Sequence, residues 1–115
     1  MVSTGSDPHS ELAQAAGAVG PAASAAQTAL GGGPVAIRLR AAILALARHR
    51  GPTASICPSD AARAVGGDSW RELTAQTRAI AFALARDGDL EITQRGNVID
   101  PGAPSRGAIR IRTKS

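Results

Sequence analysis

The sequence predicts an α+β fold: a winged helix-turn-helix of three helices and a small wing of two or three strands. Three observations carry this. A short helical pattern opens on Cys57-Pro58-Ser59-Asp60 and stops at Gly66-Gly67. A longer helical pattern follows from Ser69 and ends before Gly88. Alternating apolar residues then flank the turn Gln94-Arg95-Gly96-Asn97. Helix, helix and hairpin in that order is the arrangement in which a second helix enters a DNA major groove.

Ala, Gly, Ser and Pro make up 21 of residues 1–33, and Leu12, Val19 and Leu30 are their only sizeable aliphatics beyond Met1 and Val2. So few large apolar groups do not offset backbone ordering at about 1–2 kcal/mol per residue. Residues 1–33 are therefore expected to be a flexible tail, with the domain spanning 34–115 after Gly31-Gly32-Gly33. On this reading, removing the tail leaves the melting temperature nearly unchanged; the competing possibility is that Leu12, Val19 and Leu30 lie on an amphipathic helix that packs over the domain or reaches a partner.

The first domain helix is expected over about 34–50, with proline at its start and Gly51-Pro52 at its end. Leu39, Ile43 and Leu46 share one face, and Ile37 and Leu44 widen the apolar arc, so this helix is expected to be buried on more than one side. Ala54-Ser55-Ile56 reads as a very short strand. Pro58 in the first position of the next helix makes Cys57 its N-cap, and Asp60 favours the positive end of the helix dipole.

The third helix is expected over 69–87, because Ser69 and Glu72 have the spacing of a capping box and Gly88 can take a left-handed C-terminal position. At about 100° per residue, Trp70, Leu73, Thr77, Ile80, Ala81 and Leu84 face the core. Arg71, Ala75, Arg78, Phe82 and Arg86 fall on another face, with small Ala75 leaving room for close approach to a surface. Leu90 and Ile92 alternate with polar residues as a half-buried strand, and Val98-Ile99 begins the return strand. Ile109 and Ile111 alternate with Arg110 and Arg112, adding a third strand.

With these elements placed, residues from roughly 40–115 resemble a family of small bacterial proteins of unknown function. The matching residues are Cys57-Pro58-Ser59-Asp60 with Ala62-Arg63, Trp70-Arg71, Arg78 with Ala81, Leu84 and Ala85, Gly88, Ile92-Thr93-Gln94 with Gly96, Asp100-Pro101, and Gly107 followed by Ile109-Arg110. The resemblance implies a winged-helix-like fold and assigns no activity. Members often read Gly-Pro-Ile-Arg where this chain has Gly107-Ala108-Ile109-Arg110, which implies a less rigid entry to the last strand.

Charge is unevenly spread. Residues 1–33 hold only Asp7 and Glu11, whereas the rest holds all 13 basic residues against seven acidic ones, a net of +6. Twelve of the 13 are arginine. A positive domain attracts polyanions, with duplex DNA the expected partner. Arginine-over-lysine usage in an Ala-rich chain is also what a GC-rich genome produces.

Other chemistries lack a pattern. One cysteine excludes an intramolecular disulfide, and with two distant histidines it gives no zinc spacing. Gly31-Gly32-Gly33 follows no strand and lacks the lysine of a phosphate loop. Cys57 has no base in a readable pattern, so a cysteine nucleophile is not supported. No enzyme, cofactor or metal is expected, nor a membrane span or secretory signal, and a cytoplasmic location follows as the default.

The candidate nucleic-acid contacts are Arg71, Arg78 and Arg86 on the third helix, Arg95 at the wing tip, and Arg110 and Arg112 on the last strand. Arginine can clamp a guanine edge or a phosphate with two donors. The competing role for Arg71 and Arg78 is an ion pair with Asp68, Glu72 or Asp100 that ties wing to helix. Arg63 is assigned a structural role and Trp70 a place in the core. Phe82, beside the basic face, is the candidate for protein contact, and the alternative function is an interaction module, or homodimer, built on that face. Substitution of Arg71 and Arg78 by Ala is expected to abolish nucleic-acid binding, and Phe82→Ser to disrupt assembly. Only two aromatics are present, so a single-strand stacking platform is not expected.

Overall fold

A computed structural model describes residues 8–17, 21–103 and 106–114. Its helices are α1 (Pro8–Ala16), α2 (Pro21–Leu30), α3 (Val35–Arg50), α4 (Pro58–Gly66) and α5 (Thr74–Arg86), with a 3-10 helix, Gly67–Leu73, leading into α5. The strands are β1 (Leu90–Gln94), β2 (Asn97–Val98) and β3 (Arg110–Thr113). They form an antiparallel sheet in the order β2-β1-β3. The chain is thus α+β, in an arrangement compatible with a winged helix.

Helix α3 is the centre of the molecule. Leu39 and every residue of 41–47 are buried, a run too long for a single apolar stripe, because other helices lie against more than one side. Ile37 is the exception to the expected arc: it remains 55% exposed.

Residues 8–30 depart most from expectation. Where a mostly flexible tail is expected, the described residues form α1 and α2, and both pack on α3. Leu12, Ala26 and Ala29 are fully buried. Many of the facing α3 residues are alanines, so the helices fit together through small side chains rather than large ones. Each helix begins on proline, which fits a first helical position, and alanine has the highest helix propensity.

Two arginines of α3 tie this hairpin to the rest, and Arg38 does so by donating from Nε to the Ala29 carbonyl at 3.0 Å. Arg50, at the end of α3, donates from Nε and Nη2 to the two carboxylate oxygens of Glu11 at 2.9 and 2.8 Å. Its Nη1 donates to the Ser55 carbonyl at 2.8 Å and lies 3.8 Å from Asp60 of α4. The hydrogen bonding that Arg50 donates to Glu11 is the main cause of a raised Arg50 pKa, opposed by desolvation.

Helix α4 starts as its sequence indicates. Cys57 caps it in extended conformation, and the Asp60 carboxylate accepts from the Cys57 backbone N–H at 2.8 Å. The 3-10 helix replaces the expected start of the third helix: Ser69 lies inside it at φ −94°, ψ 15° and caps nothing. Helix α5 closes in a Schellman motif, with Asp89 N–H donating to Leu84 C=O, Gly88 N–H to Ala85 C=O, and Gly88 at φ 90°.

The sheet keeps the expected alternation. Leu90, Ile92, Ile109 and Ile111 are buried, with Ile92 opposite Ile111. Of the short strand expected at 54–56, only Ile56 pairs, as an isolated bridge to Ile111. The third strand pairs with β1 rather than with the return strand.

Candidate nucleic-acid interface

The arginines gather in three places. On α5, Arg78, Phe82 and Arg86 lie one turn apart and line an open groove of about 500 Å³, with Ala75 and Ala79 as its floor and Pro101, Gly102 and Ala103 as its far wall. None of these described lining residues is acidic. Arg78 Nη1 donates to the Gly107 carbonyl at 2.7 Å, and Arg86 Nη1 to the Pro101 carbonyl at 3.3 Å. The tie to the connecting loop therefore exists, but the acceptors named here are main-chain carbonyls, not Asp68, Glu72 or Asp100.

Phe82 is half-buried and packs against the core, with the Arg78 guanidinium 5.3 Å from its ring centre. The two side chains make a cation–π contact.

Arg71 does not line this groove. The 3-10 helix has about three residues per turn, so the phase carried back from Arg78 at α-helical spacing fails there. Arg71 instead lies 4.7 Å from the Trp70 ring centre, and Arg63 of α4 lies 4.5 Å from the same ring. Trp70 is half-buried rather than in the core, because the 3-10 geometry turns it outward between two cations. Arg63 therefore joins the basic surface, a placement that the sequence reading missed. Its spacing of seven from Trp70 spans a helix break and gave no helical-face signal.

At the wing, Gln94, Arg95, Asn97, Ile99, Arg106, Gly107, Ala108 and Arg110 surround a cleft of about 710 Å³, again without a carboxylate among the described lining residues. Arg95 is at the hairpin tip with φ 52°, followed by Gly96 at φ 84°, which makes the two-residue turn type I′. The left-handed region costs a side-chain-bearing residue about 1–2 kcal/mol, and asparagine less. Arg95→Asn is therefore expected to raise stability by about 0.5–1 kcal/mol in urea unfolding while weakening anion binding at the tip. A stability loss would show that Arg95 makes a contact that outweighs its strain. Arg106 is a third cation in this cleft, beside Arg95 and Arg110, and one that the sequence reading did not single out.

Arg110 and Arg112 are more committed to the fold. Arg110 donates to Ser55 Oγ at 2.8 Å, the Ser55 carbonyl at 3.0 Å and Cys57 Sγ at 2.6 Å, pinning β3 to the α3–α4 connection. Arg112 sits opposite Glu91 in register and pairs with it at 2.8 Å, so its charge is compensated.

No group of three or more His, Cys, Asp or Glu among the described residues could hold a metal ion. No helix among them is long and apolar enough to cross a membrane. No curated protein matches the chain. A family model described as "Protein of unknown function (DUF3253)" matches residues 36–114, which run from α3 through β3, and the chain belongs to that family.

Proposed function

We propose that the chain is a winged-helix protein that binds duplex DNA, with α5 directed to the major groove and the β1–β2 wing to a flanking phosphate run. A role as a small transcriptional regulator or nucleoid-associated factor is consistent with this. The observation that carries the reading is the α5 groove: two arginines about two turns apart on one helical face, small alanines beside them, and no acidic residue among the described lining. Small side chains permit close approach, and the outward cations supply the phosphate attraction. Arg95 and Arg106 extend the same charge to the wing, and Arg63 and Arg71 to the corner before α5.

The alternative, a protein-interaction module centred on Phe82 without nucleic-acid binding, has less support, because Phe82 is half-buried beneath Arg78.

Fluorescence anisotropy with a labelled duplex at several salt concentrations tests the proposal. The expected log–log slope is about −0.9 per neutralised phosphate, for about four to six phosphates. No binding at low salt would overturn it.

A further inference from the structure

A second surface lies on the other side of α5. Ala36, Ile37 and Arg40 of α3 face Ile80, Ala83, Leu84 and Asp87 across an apolar groove of about 270 Å³. Ile37 is 55% exposed and forms part of the groove's wall, a knob at the edge of the hole. Knob and hole on one patch are what a two-fold, self-complementary contact requires.

The charges agree with that symmetry. Arg40 and Asp87 both line the groove and are exposed, and neither takes part in an ion pair among the described residues. Asp87 is the C-cap of α5, where the negative end of the dipole disfavours a carboxylate. Helix α3 has no acidic residue in its first turn, so its positive end lacks compensation. Each chain thus carries one uncompensated site of each sign on either side of an apolar floor.

We infer that this groove binds a second copy of the same chain, with Ile37 of each copy seated in the other's groove and Arg40 of each facing Asp87 of the other. Ile80, Ala83 and Asp87 lie roughly 130° around α5 from Arg78, Phe82 and Arg86 at about 100° per residue. The dimer therefore leaves the basic groove uncovered, and the inference does not depend on nucleic-acid binding.

Sedimentation equilibrium of the full chain across micromolar concentrations provides the test, with circular dichroism to verify folding of each variant. The wild-type chain is expected to reach dimer mass. Arg40→Asp and Asp87→Arg each place like charges across the contact and are expected to raise the dissociation constant by at least about tenfold. The combined R40D/D87R chain restores opposite charges and is expected to recover dimerisation. A wild-type monomer throughout the range overturns the inference. So does a dimer insensitive to Ile37→Asp, or one that the combined charge swap does not restore.

Discussion

Deletion of residues 1–33 is expected to lower the unfolding midpoint by at least about 10 °C. The removed segment includes Leu12, whose full burial contributes about 1.5–3 kcal/mol. It also includes Glu11, the bidentate partner of Arg50. Breaking a buried pair costs about 3–5 kcal/mol, and the cost here is smaller because the Arg50 side chain keeps 26% of its surface exposed. Ala41, Ala42 and Ala45 of α3 are part of the buried cluster that contains Ala26 and Ala29. A loss of about 3 kcal/mol, at about 4–8 °C for each kcal/mol in a domain of this size, gives the stated shift. Calorimetry of the full chain against one beginning at Pro34 measures it. An unchanged midpoint would return 1–33 to the role of a passive tail. Glu11→Ala in the full chain is expected to give a part of the same loss.

Combined substitution of Arg78 and Arg86 by Ala is expected to weaken duplex binding by about 100-fold or more, since each arginine fork contributes about 1–3 kcal/mol. The salt slope should flatten by about 1.8, two phosphates' worth. Arg78 also secures the Gly107 carbonyl, so stability must be measured beside affinity. Arg78→Lys separates the two roles: it keeps the charge, loses the planar fork and is expected to bind with intermediate affinity. Full affinity in the double alanine variant would remove α5 from the interface.

The parts legible in the sequence are those specified by local stereochemistry. Pro58 after Cys57 fixed the start of α4, Gly88 the end of α5, and alternation at Leu90, Ile92, Ile109 and Ile111 the sheet. The turn at Arg95-Gly96 and the bridge at Ile56 followed from the same rules.

Two features were hidden for different physical reasons. Helices α1 and α2 pack through alanines, Leu12 and polar ties to Arg38 and Arg50, so a count of large apolar residues undervalued them. Their proline starts and the lone Glu11 were the available signals. The 3-10 helix was masked by Ser69 and Glu72, whose spacing fits a capping box equally well. That error of phase carried Trp70 into the expected core and Arg71 onto the face of Arg78. The groove on α5 survived because Arg78, Phe82 and Arg86 all lie beyond the break.

The most direct test of duplex binding through α5 is backbone amide chemical-shift mapping of the full chain titrated with a DNA duplex of about 20 base pairs. The account predicts the largest shifts at Ala75, Arg78, Ala79 and Arg86, with a second group at Arg95 and Arg106, and small shifts at Ile37 and Asp87 on the opposite surface. Shifts confined to the Ile37 surface, or none at saturating duplex, would contradict it.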